Sequence, residues 1–435
     1  MTNGVNVREL ALDCLLSITR DGNFSHIVMQ EVLNKHQYLE KQERSFLNRL
    51  VMGTIERMGE MDYVINCFST VKVNKMKPVI RLILRMGVYQ LLYMDSVPDS
   101  AVCNESVNLA KKRNFQNLKG FVNGVLRNIA RQKDEIVYPE KEKDFKAYLE
   151  VKYSIPQWIL ELWLNAYDGE TVEEMLKAFL TDGPTCIRVN TRKITPQELM
   201  CRLSEQGIIV EKHPEEEQAL YISNYDYLNR ISEFREGLFY IQDISSMQIG
   251  NVAAPKEGAV CVDVCAAPGG KSLHLAELMN GTGCVYARDL TPKKVALIEE
   301  NILRMGAQNV KAQMQDATIL DEAMIEKADV VLADLPCSGL GILGKKPDIK
   351  MHLSSEQVHG IVQLQKEILE VVCNYVKPQG TLVYSTCTIN PMENQDNVKW
   401  FLQTHKEYEL AEEKQVLPSG GYTDGFFYAK FIKRG

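Results

Sequence analysis

Four short apolar runs, Ala259–Val264, Cys284–Ala287, Val330–Ala333 and Thr381–Tyr384, are spaced by stretches long enough for helices. Few folds accommodate that pattern. Continuous apolar runs suit strands covered on both faces, and the intervening helices supply the covering layers. The chain from about residue 246 to 435 is therefore expected to be α/β, with a largely parallel, Rossmann-like sheet. Open sheets of this kind bind their ligands outside the carboxyl ends of the strands. Residues directly after each run are where chemistry is to be sought.

The region before that sheet reads differently. Val7, Leu10, Ala11, Cys14, Leu15 and Ile18 follow the i, i+3, i+4 spacing of one buried helical stripe, as do Leu118, Phe121, Val122, Val125, Leu126 and Ile129. Ile80 to Tyr93 is mostly apolar and predicts a central buried helix ending before the turn Val97-Pro98-Asp99-Ser100. Residues 1–135 are thus expected to form an all-α bundle. Residues 136–182 read as a polar linker passing into further helix, with an aromatic anchor from Tyr153 to Trp163. Residues 183–245 read as a small α/β unit. Its strands are Thr185–Asn190, Ile208–Val210, Ala219–Ile222 and Leu238–Ile241, with a capping box at Thr195-Pro196-Gln197-Glu198.

Charge separates the modules. The chain carries a net −7, yet residues 72–133 hold 12 basic against 3 acidic side chains. A basic module joined to an acidic one suits a phosphate-backbone partner met through the first, although a charge count alone fits a solvated face better. No run of 18 apolar residues suggests a membrane span, and the opening residues lack the pattern of a leader. Eleven cysteines without a regular framework fit reduced thiols in the cytoplasm. Cys261 and Cys265 have no second pair to complete a metal site, so no metal is expected. Nothing in the sequence demands a dimer, and a monomer is expected.

Four motifs fall at strand ends. Val262-Asp263-Val264-Cys265-Ala266-Ala267-Pro268-Gly269-Gly270-Lys271 runs out of the first strand into a glycine turn, and a helix start there offers free N–H groups to an anion such as a carboxylate. Its spacing is neither GxGxxG nor a phosphate loop, which argues against a nicotinamide-dependent dehydrogenase. Asp289 ends the next strand, where an acidic side chain can accept from both ribose hydroxyls. Asp316 ends a further short strand and is placed to meet an adenine edge. Singly, each aspartate fits a loop or a cap; in this order they describe a nucleoside site. Asp334-Leu335-Pro336-Cys337-Ser338-Gly339 and Tyr384-Ser385-Thr386-Cys387-Thr388 then place two cysteines, one near an acid, at the same edge.

One chemistry uses that inventory. Carbon 5 of cytosine is a poor nucleophile until a thiolate adds to carbon 6. The addition needs a proton held at N3, which a nearby carboxyl group can manage. After methylation the carbon 5 proton must leave so that the thiol is eliminated, and a second thiol can take part. The residues alone do not say which cysteine attacks.

DVCAAPGGK, DLPCSG and YSTCT together closely resemble the RNA 5-methylcytosine methyltransferases of the Sun/Nol/Nop family, over roughly residues 150–435. Gln242-Asp243-Ile244-Ser245-Ser246, Arg188-Val189-Asn190, Pro347-Asp348 and Asn390-Pro391-Met392-Glu393-Asn394 fit the same family. The first 133 residues look like the NusB family of RNA-binding bundles, through Leu12-Asp13-Cys14-Leu15, Leu50-Val51-Met52-Gly53-Thr54 and Phe121-Val122-Asn123-Gly124-Val125-Leu126-Arg127. The fusion resembles bacterial enzymes acting on 16S ribosomal RNA. The resemblance implies Cys387 as the nucleophile, Cys337 as the thiol that assists release and Asp334 at N3. It implies S-adenosylmethionine held by Cys265, Ala266, Ala267, Pro268, Gly269, Gly270, Lys271, Asp289, Asp316 and Asp334, with Lys271 also facing the catalytic loops. DNA cytosine methyltransferases use the Pro-Cys loop cysteine instead, so the choice of Cys387 rests on the family.

Arg288, Gln315 and Leu335 depart from the family's usual residues without displacing a functional one. Another RNA as substrate, or a non-catalytic NusB-like binding factor, are the competing readings. The intact set Asp334, Cys337 and Cys387 speaks against the second.

Overall fold

The bundle, the small sheet and the large sheet are all present in the computed structural model, which describes residues 6–435. The first five residues of the 1–135 module, on which the expectation about a leader also falls, lie outside the described residues. Close contacts divide the chain into two units. One runs to Leu180 and includes Leu343–His352; the other holds Thr181–Ile342 and Leu353–Gly435.

The first unit is helical. Seven helices, Val7–Thr19, Ser25–Lys35, Lys41–Glu56, Met58–Phe68, Pro78–Tyr93, Asp99–Lys112 and Lys119–Gln132, pack around one apolar core. Asn6 caps the first, its side chain accepting from the N–H groups of Arg8 and Glu9. Pro78 opens the central helix, where eleven of sixteen residues are buried. That helix buries Arg85, whose guanidinium makes a two-pronged pair with Asp62 at 2.6 Å. Three more helices, Phe145–Tyr153, Gln157–Leu164 and Gly169–Phe179, continue the unit through the stretch read as linker and helix. The aromatic anchor is Tyr153 and Trp163, both buried.

A distant segment belongs here too. Asp348 accepts from the Ser25 N–H at 2.9 Å and from its hydroxyl at 2.5 Å, and the Lys350 ammonium donates to the Glu56 carbonyl at 2.5 Å. Burial lowers the Lys350 pKa to about 8. Sequence separation hides such contacts, which join residues about 300 positions apart.

In the second unit, β1 (Thr185–Val189), β2 (Ile209–Lys212), β3 (Ala219–Ser223) and β4 (Phe239–Ile241) form an antiparallel sheet ordered β2-β3-β1-β4. The helix Pro196–Glu205 covers it through Leu199 and Leu203. Thr195 caps that helix by accepting from the Glu198 N–H at 3.2 Å. The Glu198 carboxylate meets the Thr195 hydroxyl rather than its N–H, so the expected capping box is half formed.

The large sheet has seven strands: β5 (Val260–Asp263), β6 (Cys284–Asp289), β7 (Val310–Met314), β8 (Ala328–Asp334), β9 (Val376–Thr386), β10 (Tyr408–Val416) and β11 (Phe426–Lys433), ordered β10-β11-β9-β8-β5-β6-β7. From β9 to β7 neighbours are parallel; β11 and β10 run antiparallel at one end. The chain winds outward from β5 through β6 and β7, then returns to β8 on the other side. This reversal leaves a crevice beyond the carboxyl ends of β5 and β8. Of the three strands beyond the four apolar runs, β7 and β10 are half-exposed or strongly charged, whereas β11 is largely buried and apolar and was passed over. Among the described residues, no helix is long and apolar enough to cross a membrane.

Gly53 shows how tightly the helical core is closed. A Cβ there would lie 2.1 Å from the Tyr89 ring, which is itself buried. Gly53→Ala should destabilise this unit by about 1–3 kcal/mol through overpacking, lowering its urea midpoint. An unchanged midpoint would mean that Tyr89 has room to move.

Candidate active site

The glycine turn begins where β5 ends. Gly269 has φ +107°, a backbone state open to glycine, and precedes the helix Gly270–Leu278. Gly270 sits against Tyr240, where a Cβ would come within 2.8 Å of the ring. Arg188 of β1 is buried and fixes the helix start. It donates to the Gly270 carbonyl and to Glu277, both at 3.0 Å, and also bonds Gln242. The small sheet therefore builds one wall of the turn.

Asp263 is 1% exposed. Its Oδ2 accepts from the Ser272 hydroxyl at 2.6 Å, while Oδ1 is buried without a partner. Burial pushes its pKa up to about 7, against the Ser272 bond that pulls it down. An acceptor left open beside a helix N-terminus fits a ligand carrying both an ammonium and a carboxylate group.

At the end of β8, Asp334 accepts from the Lys271 ammonium and from the Ser385 hydroxyl of β9, each at 2.7 Å. Burial works against the charge on Lys271, but the Asp334 carboxylate more than offsets it, and the lysine pKa rises. The Cys387 sulfur adds to that effect, so the ammonium and the thiol share one electrostatic environment. Lysine 271 is no helix-surface residue: its side chain is 14% exposed, and the ammonium lies 5.3 Å from the Phe426 ring centroid.

The two cysteines come together from loops 50 residues apart, with their sulfurs 3.3 Å from each other. A buried Glu393 staples the loops. It accepts from the Ser338 N–H at 2.7 Å and its hydroxyl at 2.5 Å, and from Asn390 at 2.9 Å. The Ser338 and Thr388 hydroxyls bond at 2.8 Å, and the Gly341 N–H donates to the Cys387 carbonyl at 3.1 Å. The bond to Cys387, together with burial, raises the Cys337 pKa well above the ordinary thiol range.

A cavity of about 250 Å³ opens over these groups. Cys265, Ala266, Ala267, Pro268, Gly270, Lys271, Asp334 and Cys387 all line it, with Asp263. Gly269, Asp289, Asp316 and Cys337 do not. Asp289 is engaged within the protein, accepting from the Ala267 N–H at 3.0 Å and the Leu290 N–H at 2.8 Å and pairing with Lys294 at 3.0 Å. Asp316 stands two residues beyond β7 and accepts from the Thr318 N–H and hydroxyl, which lower its pKa. Tyr240, Phe426 and Asp424 also line the cavity and escaped the sequence reading. Tyr240 stands two residues before the Gln242-Asp243 motif; nothing local distinguishes Phe426 or Asp424. The departures are accommodated outside the cavity. Arg288 pairs with Asp321 at 2.7 Å, Gln315 bonds the Ile319 carbonyl, and Leu335 is buried in the core. Among the described residues, no group of three or more His, Cys, Asp or Glu side chains is arranged to hold a metal ion.

A sheet of this strand order, with an open acceptor beside its first central turn, is the architecture of an S-adenosylmethionine-dependent methyltransferase. Relatives narrow the class. Residues 251–432 match the family described as 16S rRNA methyltransferase RsmB/F, residues 5–131 the NusB family, and residues 155–226 an RsmF/B-like ferredoxin-like domain. The chain is 34% identical, over 99% of both chains, to the probable ribosomal RNA small subunit methyltransferase B of Bacillus subtilis. It is 29% identical, again over 99% of both, to the ribosomal RNA small subunit methyltransferase B of Salmonella paratyphi B. The crystal structure of PH0851 superposes with a TM-score of 0.83 at 29% identity, covering 99% of this chain and 100% of the other. NSun6 from Pyrococcus horikoshii, solved with the S-adenosylmethionine analogue SFG, gives 0.60 at 25% identity, covering 66% and 100%. The chain belongs to the 16S rRNA methyltransferase RsmB/F family.

The thiol pair makes a measurable prediction. Buried and bonded to Cys387, Cys337 should react with iodoacetamide at pH 8 far more slowly than the exposed Cys67. Replacing Cys387 by alanine removes the largest cause of the raised pKa and should accelerate alkylation of Cys337, read by peptide mass mapping. Equal rates in both proteins would dissolve the proposed thiol–thiol coupling.

Proposed function

We propose that this chain methylates carbon 5 of one cytosine in 16S ribosomal RNA, through a transient bond between Cys387 and carbon 6 of the base. The observation that carries the reading is the meeting of Cys387, Asp334 and Lys271 in one cavity lining, with Cys337 behind Cys387 at 3.3 Å. The substrate named for the relatives, small-subunit ribosomal RNA, supports the choice of RNA.

When bound, S-adenosylmethionine supplies an electrophilic methyl group. Residues Cys265–Lys271 and Asp334 would hold it, with the open Asp263 oxygen as an acceptor for its ammonium group and the Gly270 helix start facing its carboxylate. Asp289 and Asp316 would meet its ribose and adenine.

Cys387 adds as thiolate to carbon 6. The bond that forms displaces the C5–C6 π electrons onto carbon 5, making it nucleophilic. Lys271 stabilises the thiolate by its positive charge. Asp334 contacts N3, and the proton taken up there is the one the Cys387 thiol releases, passed through that carboxylate while Lys271 keeps its charge. Once carbon 5 carries the methyl group, N3 returns its proton to the Asp334 carboxylate, solvent takes the C5 proton, the electrons of that C–H bond re-form the C5–C6 double bond, and the C6–sulfur bond breaks with its pair going back to Cys387. Cys337 assists this release from 3.3 Å away. The target base is unstacked to expose carbon 6. All these groups come from one chain, consistent with a monomer. Eleven free thiols suit a reducing cytoplasm.

Cys387→Ala should abolish transfer of labelled methyl to ribosomal RNA, and retained activity would refute the nucleophile assignment. Cys337→Ala should accumulate a protein–RNA adduct, seen as a slow band on a denaturing gel. Bisulfite sequencing of 16S RNA from cells with and without the gene would locate the modified cytosine.

A further inference from the structure

We infer that the helical unit carries a separate binding site for one unstacked nucleotide of the RNA, between Tyr138 and Tyr148. A cavity of about 380 Å³ opens there, within the range of about 300–1,000 Å³ usual for small-ligand sites. It is lined by Arg57, Glu60, Tyr93, Tyr138, Tyr148 and Lys152, together with Pro139. All belong to the first unit, and none takes part in the methyl-transfer chemistry. The inference rests on RNA being the substrate.

The chemistry of the lining selects the ligand. Tyrosines around a carboxylate would ordinarily suit an organic cation. Here the chain supplies its own cations: the Arg57 guanidinium lies 4.2 Å from the Tyr93 ring centroid, and the Lys152 ammonium 4.9 Å from that of Tyr148. The Glu60 carboxylate is also engaged, accepting from the Tyr93 hydroxyl at 2.6 Å, the Tyr138 hydroxyl at 3.0 Å and Arg57 at 3.4 Å. Arg57 also lies 3.9 Å from Glu56, so what the cavity offers a ligand is aromatic surface beside the Lys152 ammonium. A flat ring carrying an anionic group answers both, and a nucleotide is such a ligand.

The walls are also fixed in advance. Tyr63 stacks on Tyr138 at 5.9 Å and 20°, and itself donates to the Val137 carbonyl at 2.7 Å. The Tyr148 hydroxyl donates to Glu173 at 3.1 Å. Rings held from behind lose little freedom when a base stacks on them. The same unit contributes the basic stretch 72–133, whose charges draw the phosphate backbone.

The test uses the full chain and a 16S RNA fragment that the wild type binds. Tyr138→Ala should weaken RNA binding about tenfold, the scale of one lost stacking contact, raising the KM for RNA while kcat and S-adenosylmethionine affinity stay unchanged. Tyr138→Phe keeps the ring and loses only the Glu60 bond, so it should bind RNA like the wild type. Lys152→Ala should weaken binding and reduce the slope of log affinity against log salt by about one. A transcript carrying 4-thiouridine should photo-crosslink to the peptide spanning residues 136–152. Unchanged RNA affinity in Tyr138→Ala, or equal losses in the alanine and phenylalanine variants, would overturn the site. AMP or UMP binding as tightly as the RNA fragment would overturn the assignment to an RNA chain. Binding is read without turnover, so absent methylation by the wild type would sink the proposed function and leave this inference to its own result.

Discussion

The Lys271–Asp334 pair is the interaction on which the rest of the site depends. A charge of either sign in so enclosed a place is costly alone, and the two are tolerated because each answers the other. The pair also spans the crevice: Lys271 leaves the glycine-turn helix and Asp334 ends β8. The Ser385 hydroxyl extends the link to β9. One ion pair thus joins the cofactor side of the cavity to the strand ends from which both cysteines follow.

Around that pair, the reactive groups are held by a second layer of contacts. Glu393 has no exposure and sits at the centre of bonds from Ser338, Asn390 and Gln365. Burial raises its pKa, and those bonds pull it down. Such a group is tolerable only when its acceptors are satisfied, and satisfying them fixes both cysteine loops at once. The 3.3 Å between the sulfurs is a consequence of this staple, since neither loop has regular structure to position it.

The small antiparallel sheet has a part in the same architecture. Arg188 reaches from β1 to the Gly270 carbonyl, so the unit that precedes the methyltransferase sheet also sets the start of its glycine-turn helix. The helical unit is built on a different principle, a core of helix faces closed tightly enough that Gly53 leaves no room for a methyl group against Tyr89. Its Tyr138–Tyr148 cavity draws on residues from the bundle and from the stretch that follows it.

Much of this was legible in the chain itself. Periodicity separated helical from sheet modules because burial imposes a repeat of 3.6 or of 2 on any sequence that folds. The four apolar runs marked the central strands, and the motifs after them named Cys337, Cys387, Asp334 and the glycine turn, because strand ends are where such sheets expose their loops. Neither Phe426 nor Asp424 could be found this way, since each enters the cavity from a strand and a loop whose place is set by pairing with distant β9. Lys271 was expected to face the catalytic loops, but its partner there, Asp334, lies 63 positions away. Sequence fixes which local shapes and reactive groups the chain carries, because those depend on neighbours a few residues off. Which of them meet, Lys271 with Asp334 and sulfur with sulfur, was decided only when long-range packing brought separate strand ends to one edge.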